Sequence, residues 1–405
     1  MGFWKWDYTP TFRGFDSWLG YLTGGESYFE HNAGGVLDLR LDSRPRCGAN
    51  CSTPLFDEVG TYSTHLFTRR AVDVIESHDT QQRLFLYLAY QAVHCPRQVP
   101  ASYVAPYAQA NMSEPRATFA GMLSCLDEGV ANVTSALKAR GMWNDTLLLF
   151  STDNGAPTPS CGGAQGGQNW PLRGGKCSAW EGGLRGTAFV HSPLLPAAAR
   201  GRRTTALMHA TDVLPTLLDA AGAPPTSRHS NARGLPLDGV SQWPVIAGDE
   251  RANSFTYNST STPRTEILLE ADGHSLPLQR QYCGDQHGSG PGTPYYAFRR
   301  AQWKLLVGDP AGGAGDGWYC TGAPCPYVGW DATAPGASFN LTAGSVQLYD
   351  VVADPGERVE LSRKEPAVVA DMLAALRAYN ATAVPSYVCG PDGPWKQNGT
   401  LAPFA

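Results

Sequence analysis

The amino-acid sequence predicts an α/β fold, with a mostly parallel sheet flanked by helices over residues 1–255 and a smaller α+β subdomain over 256–405. The second part is expected to carry antiparallel strands and a terminal helix. Three observations predict this. Residues 83–154 read strand, helix, strand, the pattern of a right-handed parallel crossover. After about residue 250 the texture changes to separated strand candidates with Gly- and Pro-rich stretches between them. A chain of 405 residues, 42% hydrophobic and 17% charged, is long enough to bury one large core and a smaller one.

Each element has its own local cause. Residues 61–80, TYSTHLFTRRAVDVIESHDT, set Leu66, Val72, Val74 and Ile75 near one face, which predicts a helix. The apolar and aromatic run RLFLYLAYQAVHCP predicts a strand buried on both faces. Residues 113–141 open with Ser113, repeat apolar side chains at Met122, Leu123, Leu126, Val130, Val133 and Leu137, and stop at Gly141, an amphipathic helix. TLLLFSTDNG, residues 146–155, is then a second buried strand. Parallel strands end on one edge of their sheet, so His94, Asp153 and Asn154 are expected at one rim, where open α/β sheets bind ligands. GTAFVHS (186–192) and TDVLPTLLDAAG (211–222) extend the pattern as a strand and a helix. In the second part TEILLEA, YYAFRRAQWKLLVG and SVQLYDVV predict strands, PAVVADMLAALRAYN a helix, and 308–344 a glycine-rich exposed loop.

Charge excludes one class of partner. With 31 Lys+Arg against 36 Asp+Glu, a net charge of −5 and no basic run, the chain is not built for a phosphate backbone, so no nucleic-acid partner is expected. Its apolar runs fall far short of the roughly 18–20 residues that cross a bilayer, so no transmembrane helix is expected. Eight N-x-[ST] sequons (at Asn50, Asn111, Asn132, Asn144, Asn258, Asn340, Asn380 and Asn398) and ten cysteines suit an oxidising, glycosylating compartment. That points to the secretory pathway, lysosomal or extracellular. The opening MGFWKWDYTP nevertheless lacks the basic and apolar regions of a signal peptide. Cys283 is expected to pair with Cys320 or Cys325, connectivity being closed to sequence alone.

Several residue types could carry chemistry. Asp153 and Asn154 offer carboxylate and amide oxygens, ligands suited to Ca²⁺ or Mg²⁺, and Gly155 lets the backbone turn so that both face one point. Two oxygens do not complete a hard-cation site, which wants about six, and the same residues also suit a plain turn after a strand. His94 has the near-neutral pKa of a general acid, or is a hydrogen-bonded structural histidine. NWPLRGGKCSAWEGGLRG (169–186) sets Arg173, Lys176 and Arg185 among glycines and tryptophans, as a loop that grips an anion or as a solvated basic loop. GGAQGG does not have the spacing of a dinucleotide fingerprint.

Seven blocks, GFDSWLGYLTGGESYFEH, FLYLAYQAVHCPRQVP, LDEGVANVTSALKARGMWNDTLLLFSTDNGA, NWPLRGGKCSAWEGGLRG, TDVLPTLLDAAG, WKLLVGDP and LYDVVADPGE, resemble in order the sulfatases of the arylsulfatase B-like branch. The resemblance implies an alkaline-phosphatase-like α/β fold and calcium-dependent hydrolysis of sulfate esters, those of glycans among them, by a formylglycine made from a cysteine. It implies that Asp153 and Asn154 are calcium ligands, that Lys176 binds the sulfate, and that His94 protonates the leaving oxygen or contacts the sulfate.

The departures are equally specific. The family's nucleophile lies in C-x-P-x-R, and none of the ten cysteines satisfies it: CGPDG at Cys389 has Gly393 in place of arginine, and CSTPL at Cys51 has its proline one place late. The family's early acidic calcium ligands and its Lys-x-His block would lie before Met1, so the chain is expected to be N-terminally truncated, with half a calcium site and no activity alone. Two alternatives stay open. One is a pseudoenzyme that binds sulfated ligands; the other is a phosphatase or phosphodiesterase of the same superfamily. The natural substrate and oligomeric state are not legible in these motifs.

Overall fold

The computed structural model describes residues 6–48, 51–108, 112–157, 166–224, 229, 234–248, 262–272, 295–308, 346–382, 395–397 and 400–402. In chain order the strands are β1 (Trp18–Gly20), β2 (Asn32–Ala33), β3 (Val36–Leu37), β4 (Arg40–Asp42), β5 (Ser52–Pro54), β6 (Leu148–Ser151), β7 (Ala188–His191), β8 (Glu266–Asp272), β9 (Tyr295–Arg300), β10 (Trp303–Val307), β11 (Val346–Asp350), β12 (Trp395–Gln397) and β13 (Thr400–Ala402). The α-helices are α1 (Ser63–Ser77), α2 (Ala101–Ala108), α3 (Glu114–Ala139), α4 (Glu181–Leu184), α5 (Val213–Ala220), α6 (Trp243–Ile246) and α7 (Pro366–Ala381). Two compact units divide the chain. One comprises Met1–Asn144, Ala164–Gly167 and Val388–Ala405, the other Asp145–Gly163 and Gln168–Tyr387. The expected domain boundary at 255 falls inside the second unit.

In the first unit α1 and α3 form where the apolar spacing predicts, and they bury Ala71, Ile75, Val133, Ala136 and Leu137 against each other. Gly129 lets them close up, since a Cβ there would come 2.7 Å from Thr68 Oγ1 on α1 and 2.8 Å from the Tyr90 hydroxyl. Leu123, expected inside, is instead 49% exposed. The run at 83–90 makes no ladder among the described residues. Its Leu84, Leu86 and Leu88 pack on the α1–α3 core, while Phe85 and Tyr87 are each 64% exposed. Burial on one face, not two, follows from the period of two: the helices cover every second side chain.

The α/β class is as expected, but the pairing of the strands is not mostly parallel among the described residues. β6 runs antiparallel to β7, and β13 with β3 is the parallel pair. Phe150 of β6 stacks on Phe189 of β7 with centroids 5.1 Å apart. Among the described residues the first strand of the expected crossover has no ladder, and the second pairs with the strand that follows it, four residues each, with a tight aromatic contact between them.

The second unit contains the predicted antiparallel sheet, in the order β11-β10-β9-β8. Alternation divides its faces. Phe298, Leu305 and Leu348 meet Met372 and Leu376 of α7. Ala297, Leu306 and Tyr349 point the other way, onto Ala179 and Trp180. Lys304, two residues from Leu306, therefore shares that second face. Elsewhere in this unit Asp212 gathers the chain before α5. Its carboxylate takes Arg264 through Nε and Nη2, the backbone N–H of Val240 and of His209, and the Gln242 amide.

Cys47 and Cys51 form a disulfide. Cys177 is also disulfide-bonded. The expected pairing of Cys283 lies outside the described residues, as do the loop at 309–344 and Cys389.

A buried acid makes one prediction about pH. Glu26 is 3% exposed, touches His31 Nδ1 at 3.2 Å, and has an Oε2 with no hydrogen bond among the described residues. Burial pushes its carboxyl above the ordinary value of 4.5, although the His31 ring opposes the shift. A carboxyl raised in the folded state stabilises most below 4.5 and loses that contribution as pH climbs through its folded value. Urea midpoints from about pH 4.5 to about pH 8 should therefore fall less steeply for Glu26→Gln than for the parent chain. Equal slopes would contradict this assignment.

Candidate functional site

Asp153 and Asn154 come directly after β6. Asp153 is exposed and its Oδ1 accepts the Asn154 N–H at 2.8 Å, so the short turn expected of an aspartate after a strand is present. Asn154 turns its Nδ2 to the Gly155 carbonyl, at 2.8 Å. An amide nitrogen used this way leaves Oδ1 as the polar atom that can serve a cation. Two oxygen donors on adjacent residues have the chemistry of a hard-cation site and supply two of about six ligands. Among the described residues no group of three or more His, Cys, Asp or Glu could hold a metal ion.

The chain then knits itself to the loop at 169–186. Gly155 N–H bonds to the Gly183 carbonyl at 2.9 Å, and Lys176 N–H to the Ala156 carbonyl at 3.0 Å. Pro157 and Lys176 form an isolated parallel bridge. Asn169 spans the knot, its Oδ1 taking Ala156 N–H at 2.8 Å while its Nδ2 donates to the Ala156 and Gly174 carbonyls. Lys176 is thus brought beside the Asp-Asn turn, with a half-buried side chain. Glycines make the closeness possible. A Cβ on Gly155 would lie 1.7 Å from the Gly182 oxygen, and one on Gly182 2.4 Å from the Arg173 oxygen.

Two further cations stand in this loop. Arg173 is buried, lies 3.6 Å from the Trp180 ring centroid and points Nη1 at the Tyr349 hydroxyl and the Glu357 carbonyl. Arg185 pairs with Glu181 at 4.0 Å.

His94 belongs to the first unit. Its Nδ1 lies 2.7 Å from the Cys95 carbonyl, an atom that only accepts, so Nδ1 is the donor of that hydrogen bond. Tyr28 fixes the backbone there by donating its hydroxyl to the His94 carbonyl at 2.8 Å, and Gly25 sits against the imidazole. Asp153 and Asn154 belong to the second unit.

Sequence reasoning missed the charges beneath the loop. Lys304 is fully buried and reaches Glu181 Oε1 at 3.1 Å and Glu357 Oε1 at 2.9 Å. Glu357 Oε2 accepts the Glu181 N–H at 2.7 Å. Burial raises the Glu357 carboxyl, whereas at Glu181 Lys304 and then Arg299 outweigh burial and hold the carboxyl below its ordinary value. The signal was a lysine inside the apolar strand WKLLV, which a buried partner has to explain.

Comparison with known proteins gives the family. The model of the Sulfatase family matches residues 2–223, a span that includes all four candidate residues. Arylsulfatase J of Mus musculus is 35% identical over 402 residues, 95% of this chain and 59% of that protein. Arylsulfatase A of Homo sapiens is 30% identical over 311 residues, 76% of this chain and 50% of that protein. The chain thus spans between half and three-fifths of these relatives. In fold it is similar to the crystal structure of Ps i-CgsB in complex with k-i-k-neocarrahexaose, with a TM-score of 0.62 and 24% identity over 92% of this chain and 68% of that one.

Proposed function

Because the chain belongs to the sulfatase family, we propose that it binds sulfate esters of glycans and serves their hydrolysis, with Lys176 on the sulfate, Asp153 and Asn154 on calcium, and His94 as proton donor. The observation that carries this reading is the knot joining Lys176 to the Asp-Asn turn through backbone hydrogen bonds. A lysine whose backbone is tied next to two hard oxygen donors suits an oxyanion shared between a cation and an ammonium. Calcium bound there would draw negative charge off the sulfate oxygens. Lys176 orients the same group, and His94, through Nε2, can hand a proton to a departing oxygen. The oligosaccharide in the Ps i-CgsB complex supports a glycan as substrate class. The disulfide at Cys47 and Cys51 and the bonded Cys177 support a secretory compartment.

No nucleophilic step is assigned to this chain, because none of its ten cysteines lies in C-x-P-x-R. The same fact favours a second reading, a non-catalytic binder of sulfated glycans. The two share one test. The 405-residue chain should bind an aryl sulfate, read by saturation-transfer NMR, without turning it over; calcium-dependent turnover would overturn the claim of inactivity, and Lys176→Ala should cost binding about tenfold or more, the worth of a charged hydrogen bond.

A further inference from the structure

We propose that Lys304, Glu181 and Glu357 form a buried charged clamp that positions the anion-binding loop, with Lys304 a positioning residue for Lys176 and for the Asp-Asn turn alike. The role given to the loop rests on the proposed sulfate site; the clamp itself rests on geometry. Lys304 stands on the face of β10 that meets Ala179 and Trp180, and its ammonium bridges the carboxylates of Glu181 and Glu357 at 3.1 and 2.9 Å. All three residues are at most 2% exposed. Glu357 also accepts the N–H of Glu181, so one side chain holds both the charge and the backbone at the start of α4.

The two glycines after Glu181 make the clamp positional. Gly182 and Gly183 are the contact points of the knot: Gly182 donates its N–H to the Arg173 carbonyl at 2.7 Å, and Gly183 accepts from Gly155. A Cβ on Gly183 would come 2.4 Å from the Gly175 oxygen, next to Lys176. A shift of α4 therefore has no room to be absorbed. It must carry Gly155 with it on one side and the Gly174–Lys176 stretch on the other. An apolar trio of the same volume would serve stability as well as or better than a buried ion cluster, because desolvation offsets most of the attraction. Fixed, directional contacts are what the charged version adds.

Amide hydrogen exchange on the full chain tests the clamp without any assumption about activity. In Lys304→Met, exchange across 172–186 should rise about tenfold or more while α7 and the α1–α3 core keep their protection, and aryl sulfate affinity should fall by a similar factor. Unchanged exchange in the loop, or a uniform rise over the whole second unit, would overturn the proposal. Should Lys304→Met fail to fold, Glu357→Gln decides: it keeps an acceptor for Glu181 N–H and leaves Lys304 one anionic partner, so the chain should fold and the loop should exchange faster than parent but more slowly than in Glu357→Ala. Equal exchange in parent and both variants contradicts the clamp. If Lys176→Ala leaves aryl sulfate binding untouched while Lys304→Met still loosens the loop, the functional reading fails and the clamp stands.

Discussion

Replacing Asp212 by alanine is expected to destabilise the second unit by about 3–5 kcal/mol, the cost of breaking a buried pair from one side. The Asp212 side chain is 3% exposed and that of Arg264 13%. Removing the carboxylate takes the counter-charge from a guanidinium that keeps only the Glu266 and Asp238 carbonyls among the described residues, and it strands two backbone N–H groups and the Gln242 amide; a buried donor without an acceptor loses its full hydration. Asp212→Asn keeps the shape and part of the accepting capacity, so its loss should be about 1–3 kcal/mol. Urea unfolding followed by a probe in the second unit measures both. An alanine variant as stable as the parent chain would contradict this, and one only as stable as the asparagine variant would mean that the accepting oxygen kept by Asn contributes little there.

Gly155→Ala is the second large effect, and it strikes the site itself. The new Cβ would fall 1.7 Å from the Gly182 oxygen, 2.8 Å from its carbon and 2.9 Å from Asn169 Oδ1. Two of those atoms are backbone, in a residue whose N–H is bonded to the Arg173 carbonyl, so no rotamer change relieves the clash. Overpacking in well-filled interiors costs typically 1–3 kcal/mol, and here the upper end, about 3 kcal/mol, is expected. The knot must open to accept the methyl, so aryl sulfate binding should fall with stability. Gly141→Ala gives the contrast. Its φ of 70° strains an alanine, yet nothing lies within 4 Å of the new Cβ, and the residue follows α3 in the first unit. That variant should lose about 1 kcal/mol and leave aryl sulfate binding as in the parent chain. Binding that survives Gly155→Ala would show that the knot does not position Lys176.

The helices were legible because each has a local cause. Met122, Leu126, Val133 and Leu137 recur at helical spacing and are buried along α3. The sheet of the second unit was legible for the same reason, its alternation sorting Leu305 from Leu306 onto opposite faces. Partner choice was not. TLLLF reads as a buried strand, but what lies beside it is a long-range matter: β6 takes β7 in an antiparallel ladder, and Leu149 is 37% exposed. The short strands β1 to β5 carry too few residues for any period to show. At the site, Asp153, Asn154 and Lys176 stood out by residue type, and their meeting rests on glycines whose role is visible only from the atoms they nearly touch. Lys304, Glu181 and Glu357 come from three separate stretches of chain, and no local pattern joins them.

Saturation-transfer NMR of an aryl sulfate, with and without calcium, on the parent chain and on Lys176→Ala is the decisive measurement for the sulfate site. Transfer to the parent chain is expected, strengthened by calcium and reduced about tenfold or more by Lys176→Ala. Equal transfer to both chains, or none to either, would contradict a sulfate site built on the Asp-Asn turn and the lysine knotted to it.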